Sequence, residues 1–388
     1  MTAFLSRLEL ESLMTPSEGA HISIFMPTYR VGRETRQNRI RLKNLIRDSE
    51  KQLIEMGYRV PDAQALLQPA EDLLGPTDFW MYPGDGLAIF LSADTARRHS
   101  LPIRLKKKLV VADRFQVKPL LPLFSGDGSF LVLALSQNEV RLLQGTRSEV
   151  AQVELENLND SLARMLKSEG SEKHLNWYMP SGSPGAPGRN AAIFHGSGSR
   201  TENDRAKLLD YFREVDKGLR SILQSEQAPL VLAGVDYLHA LYREVSSYPH
   251  IFETGISGNP EQLRVDELHA EAWRILQPHF QQLRQKAKKR YHQLSGQNSH
   301  LASDHLDKIL PAALHGQVEL LFVAVGAQQW GEFDPVSLQV HQNEVYRPGN
   351  EDLLDRAAVL TLLNGGTVFA VRKDQVPSRN LAAAVFRY

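Results

Sequence analysis

The chain has 388 residues, 42% hydrophobic and 23% charged, a globular balance that excludes a wholly disordered, collagen-like or disulfide-stapled protein. At the usual ~100 to 200 residues per domain, this length predicts more than one hydrophobic core. Cysteine is absent, which excludes disulfides, iron–sulfur clusters, thiolate zinc sites and cysteine nucleophiles, and 45 basic residues against 45 acidic ones leave no global charge to attract a polyanion.

The opening MTAFLSRLELESLM carries Arg7, Glu9 and Glu11 where a signal peptide needs an unbroken apolar core. Residues 318–327, the longest apolar stretch, contain Glu319 and fall well short of the ~20 residues of a spanning helix. No membrane segment is expected, and a reducing, cytoplasmic location fits.

Residues 21–26 (HISIFM) read as a strand stopped by Pro27, which has no amide hydrogen for a ladder. From about Thr35, Leu42, Leu45, Ile46, Leu53 and Ile54 recur at three-and-four spacing, so one helix buries a side while Arg36, Arg39, Lys43 and Arg47 follow the same period on another face. Over residues 29–47 seven basic residues (Arg30, Arg33, Arg36, Arg39, Arg41, Lys43 and Arg47) meet Glu34 alone. Strand 86–92 (GLAIFLS) closes this unit, and 104–108 (RLKKK) adds a second basic knot.

A new unit opens after the Pro- and Gly-rich residues 118–129, with a hairpin made of 130–135 (FLVLAL), a turn at 136–139 and 140–144 (VRLLQ). Residues 176–201 are rich in Gly, Ser and Pro and read as a mobile loop, because they bury too little apolar area to offset chain entropy. An amphipathic helix over 202–223 follows, with Thr201 or Asn203 as cap, and then a buried strand, 229–233 (PLVLA).

In the last third the predicted elements are a helix over 269–294 with Pro278 as a kink or near its first turn, a helix over 303–315, a strand over 318–325, a helix over 351–364, and strands over 367–371 and 382–387. Helices alternating with short apolar strands mean layered α/β architecture. The domains expected are 1–112, 113–265 and 266–388.

The cations of residues 30–47 match a nucleic-acid backbone, since phosphate contacts need only positive charge at a regular rise; a solvated helix face explains them too. The loop His195-Gly196-Ser197-Gly198-Ser199-Arg200 precedes a helix, so its amides are suited to an anion, or it is a flexible linker and cap. There is no HExxH, no paired His at metal spacing and no G-x-S-x-G elbow, so neither a metal nor another cofactor is expected. Asp236, alone after PLVLAG, reads as a helix cap, and Gly365-Gly366 as a helix stop.

Taken together, ISIFMPTYR with its basic helix, DRFQVKPLLPLFSGDG, FLVLAL, the Gly-rich loop before a long helix, PLVLAG and LNGGTVFAV resemble the bacterial archaeo-eukaryotic release factor superfamily, and within it family 3. The resemblance covers nearly the whole chain. It implies an N-terminal α+β domain facing the decoding centre, a ribonuclease-H-like middle domain, and a C-terminal α/β/α sandwich similar to kink-turn-binding ribosomal proteins.

It implies further a cytoplasmic partner of the ribosome and its RNA, with a translational GTPase docking on the last domain as in relatives. Such a factor would enter the A site for rescue or hibernation, with Arg30, Arg33, Arg36, Arg39, Lys43 and Arg47 on RNA and His195 to Arg200 toward the peptidyl-transferase centre.

The departures are as informative. The middle-domain loop has no Gly-Gly-Gln, so the resemblance assigns no catalytic residue and does not extend to peptidyl-tRNA hydrolysis, and the NIKS and Cys-containing stop-codon signatures are absent. A second reading, from another class, is a hydrolase of RNA or a phosphoester using the Gly-Ser loop with His195 as general base.

Overall fold

The structure, a computed structural model of the chain, describes all residues except 1–4, 6, 16–17, 30–34, 76–77, 81–83, 102, 125–128, 137–138, 148–149, 154, 156–196, 227, 298 and 348.

After the short helix α1 (Arg7–Met14) come β1 (His21–Pro27), the helices α2 (Thr35–Glu55) and α3 (Val60–Glu71), and the strands β2 (Gly86–Leu91), β3 (Ala96–Leu101) and β4 (Lys108–Ala112). The strands form one antiparallel sheet of order β3-β2-β1-β4, in which Ile24 faces Ile89 on one side and Leu109 on the other. Both faces of β1 are covered, which is why HISIFM is apolar almost throughout rather than alternating. Ile22, Ile24 and Met26 pack with Leu42, Leu45 and Leu53 of α2 and Leu67 of α3, whereas Phe25 points to the other side with Phe90.

The middle sheet contains β5 (Phe130–Leu135), β6 (Val140–Gly145), β7 (Val150–Val153), β8 (Leu230–Gly234) and β9 (Ile256–Ser257) in the order β7-β6-β5-β8-β9. Counted from β5, that is 3-2-1-4-5, the order expected of a ribonuclease-H-like sheet, with β8 and β9 parallel. The accompanying helices are α4 (Ser197–Glu226) and α5 (Asp236–Val245).

In α4, Leu209, Phe212, Val215, Leu219 and Leu223 form the buried stripe that the sequence predicts. The helix begins earlier than predicted, so Thr201 and Asn203 lie inside it and are not caps. Extending an established helix adds a hydrogen bond per residue without a new nucleation cost, which lets a weak helix former such as SGSR join it. Asp236 is likewise the first helical residue and not the cap; Val235 holds that position, and the Asp236 carboxylate accepts from the Ser257 hydroxyl at 2.6 Å.

The last third comprises α6 (Val265–Gly296), β10 (Ala302–Ser303), α7 (Leu306–Leu314), β11 (Val318–Ala324), β12 (Trp330–Phe333), β13 (Val340–Asn343), β14 (Glu351–Asp352), α8 (Leu353–Leu363), β15 (Thr367–Val371) and β16 (Ala382–Phe386). Pro278 sits well inside α6, not in its first turn. The main sheet has the order β10-β16-β11-β15, with β11 parallel to β15 and antiparallel to β16.

Phe322, Phe369 and Val385 of that sheet meet Ala287 and Tyr291 of α6, and Leu321, Val323 and Ala384 meet Ile309, Leu310, Leu354 and Ala358 of α7 and α8. Helices therefore cover both faces, giving the α/β/α sandwich. Gly365, at φ +70°, stops α8 in the left-handed region where a side chain is strained. A small sheet, β13-β12-β14, was not foreseen from the sequence.

The chain forms two compact units, one of residues 1–132, 143–153 and 264–388, the other of residues 133–142 and 154–263. Residues 1–112 and 266–388 belong to the same unit. They also share a core: Phe25, Phe90, Leu120 and Leu121 belong to one apolar cluster with Leu310, Leu354 and Phe386. Among the described residues no helix is long and apolar enough to cross a membrane.

Candidate nucleic-acid interface

Helix α2 is held by its apolar stripe, by the buried Ser49 hydroxyl donating to the Leu45 carbonyl at 2.8 Å, and by Tyr346, whose hydroxyl lies 3.0 Å from both Gln52 Oε1 and the Val111 carbonyl. Burying Leu42, Ser49 and Leu53 turns the opposite ridge to solvent. On that ridge Lys43, Arg47 and Lys51 follow one another every fourth residue, about 6 Å apart along the axis, with Arg39 beside them. All four are exposed, and none forms an ion pair with a described residue. Exposed Ile40 and Ile54 stand among them. Asp48, Glu50 and Glu55 also lie on α2, but none of them pairs with these four cations, and unpaired cations on an outward helix face make a surface suited to a polyanion.

Of the other cations predicted for this stripe, Arg36 lies in the first turns of α2, and Arg30 and Arg33 lie outside the described residues. Of the predicted loop, His195 and Gly196 also lie outside them, and Ser197, Gly198, Ser199 and Arg200 form the opening turn of α4.

Two residues join the interface, Tyr29 just beyond β1 and Arg104 from the segment before β4, and they meet Arg41 of α2. Tyr29 is fixed by Asn38 of α2, whose side chain accepts from the Tyr29 amide at 3.2 Å and donates to the Tyr29 carbonyl at 3.0 Å. Over the Tyr29 ring lie the guanidinium carbons of Arg41, 4.9 Å from the centroid, and of Arg104, 5.1 Å away. Arg104 also donates to the Tyr29 hydroxyl at 2.6 Å. The RLKKK knot marked Arg104 as basic, but nothing in the sequence spacing pairs it with Tyr29, 75 residues earlier.

Just beyond, Lys108 opens β4 and is mostly buried, with its ammonium 5.4 Å from the Trp330 ring and 3.7 Å from Asp352. Burial lowers it to about 8, against the opposing pull of Asp352. Asp352 Oδ2 accepts from Lys118 Nζ at 2.6 Å and from Gln116 Nε2 at 2.7 Å, and Asp355 Oδ1 accepts from the backbone amides of Val117, at 2.8 Å, and Lys118. Burial, then the neighbouring Asp352, push the Asp355 carboxyl up to about 7. These buried charges tie the β4 region to the start of α8. Among the described residues no His, Asp and Glu cluster could hold a metal ion.

Residues 130–278 match the model of bacterial archaeo-eukaryotic release factor family 7. That segment is similar to this family of bacterial relatives of the archaeo-eukaryotic release factors. The matching family is the seventh, where the resemblance named the third; SIFMPT, DRFQVKPLLPLFSGDG and LNGGTVFAV, which pointed there, all lie outside residues 130–278.

No curated protein matches the chain in sequence. Similar solved structures include the archaeal translation termination factor aRF1 (11% identity, 99% of this chain and 98% of that one, TM-score 0.23). Others are Dom34 of S. cerevisiae, a translation termination-like factor (9%, 81% and 76%, 0.34), and Archaeoglobus fulgidus Pelota (14%, 78% and 84%, 0.24).

Proposed function

We propose that this protein is a release-factor-like cytoplasmic translation factor that binds the ribosome and its RNA and enters the A site without reading a codon, in rescue of stalled ribosomes or protection of idle ones. The observation that carries the reading is the exposed row Arg39, Lys43, Arg47 and Lys51 on α2, without ion-pair partners among the described residues. Arg30, Arg33 and Arg36 extend the same contact to ribosomal RNA. The family match over residues 130–278 supports a role in translation. His195 to Arg200 reach toward the peptidyl-transferase centre in this reading. The segments 1–112, 113–265 and 266–388 act as functional divisions, and a translational GTPase is a further partner.

Binding of this kind is electrostatic and weakens steeply with salt. Sedimentation of purified ribosomes with the protein at low and moderate salt tests it. Co-migration that declines with salt is expected; no co-migration at either salt removes the proposal.

A further inference from the structure

We propose that Tyr29, Arg41 and Arg104 form a phosphate clamp for single-stranded RNA, set beside the cation row of α2; this rests on the reading of the chain as an RNA-binding factor.

Two other arginines of the chain are held by carboxylates: Arg290 by Glu319 at 2.6 and 2.8 Å, and Arg59 by Asp62 at 2.7 and 3.2 Å. Arg41 and Arg104 differ. Neither forms an ion pair with a described residue, and each guanidinium rests against the ring of Tyr29. The two positive groups are thus within about 10 Å of one another, brought together by an aromatic and not neutralised by an acid. Like charges gathered this way repel, and an anion between them removes the repulsion.

The clamp is also built to stay in place. Asn38 is buried and bonds both backbone polar groups of Tyr29, and the Tyr29 hydroxyl takes one N–H of Arg104. Holding a long side chain before the ligand arrives removes part of the entropy cost of binding. The N–H groups that Arg104 keeps form a planar fork matched to phosphate oxygens. Exposed Lys106 and Lys107 follow directly, and the cations of α2 continue on the neighbouring helix. A succession of positive groups with no carboxylate paired to them among the described residues fits a chain of phosphates better than a single anion.

The test is fluorescence anisotropy of the full chain with a labelled single-stranded RNA of about 20 nucleotides over roughly 50 to 300 mM salt. Arg104→Gln should weaken binding and reduce the slope of log Kd against log salt by about 0.7, the share of one phosphate contact on a single strand. Tyr29→Phe keeps every charge and removes only the hydroxyl that holds Arg104. It should weaken binding about threefold to tenfold while leaving the slope unchanged, an effect that charge alone does not produce.

Thermal melts and circular dichroism would show both variants folded. If both bind RNA like the parent while charge reversal on α2 abolishes binding, the clamp is wrong and the α2 reading stands. If the parent binds neither RNA nor ribosomes, both fall. Equal affinity for an acidic peptide of the same charge would overturn the assignment to RNA.

Discussion

Lys118 Nζ lies 2.6 Å from Asp352 Oδ2, with 2% and 1% of the two side chains exposed, and joins parts of the chain 234 residues apart. Asp352 is also the cap of α8, accepting from the Leu354 amide at 3.2 Å. Breaking a buried pair from one side leaves an uncompensated charge. Lys118→Met should therefore destabilise the first unit by about 3 to 5 kcal/mol, toward the lower end because Lys108 remains near Asp352. Urea unfolding measures it, and a loss below about 1 kcal/mol would mean that the pair is dispensable.

Asp355 gives that region a pH dependence whose sign follows from its raised carboxyl. Its value in the folded protein is about 7, against about 3.9 for a free aspartate. Below about pH 4 both states hold the proton; between there and about 7 the unfolded chain releases it while the folded protein keeps it, so the contribution to stability falls as pH rises. Asp355→Asn keeps a carbonyl acceptor for the Val117 and Lys118 amides but cannot ionise. Relative to the parent, it should gain stability between about pH 4.5 and pH 8. A parent-minus-variant difference identical at both pH values contradicts this.

Replacing Arg39, Lys43 and Arg47 together by Glu should cut ribosome co-sedimentation at least about tenfold at low salt, because three favourable charges become three unfavourable ones. All three are exposed and unpaired among the described residues, so the melting temperature should move little. Undiminished co-sedimentation would clear the row of this role.

In the second unit, buried Asp216 of α4 accepts from the hydroxyls of Ser246 at 2.6 Å and Ser247 at 3.3 Å, and Tyr242 lies 3.4 Å away. Asp216→Ala strands these donors and should cost about 1 to 3 kcal/mol. Limited proteolysis of residues 236–248 would register the loosening; an unchanged cleavage rate would argue that the serines find water instead.

Local signals located most elements because they are dictated locally. FLVLAL and TVFAV fall on β5 and β15 residue for residue, and HISIFM on β1 apart from Pro27. Helix α3 escaped because Val60-Pro61 and Pro69 read as breakers, although a proline in the first turn lacks only an amide hydrogen that has no partner there. The strand β3 (ARRHSL) escaped because a partly exposed strand beside β2 carries charges and no apolar run. On the interface, Lys43 and Arg47 were readable from helical period alone. Tyr29 with Arg104, and Lys118 with Asp352, were not, because pairs this far apart in sequence exist only through tertiary packing.

The apolar cluster that unites Phe25 and Phe90 with Leu354 and Phe386 bears on how the protein is made. A nascent chain presents the aromatic side of its first sheet long before the residues that cover it are translated, a delay of roughly 10 to 50 s at about 5 to 20 residues per second. Until then part of that side is open to chaperones or to other nascent chains, and a product cut short before Leu306 keeps only the cover that residues such as Leu10, Leu13, Phe115 and Leu120 supply.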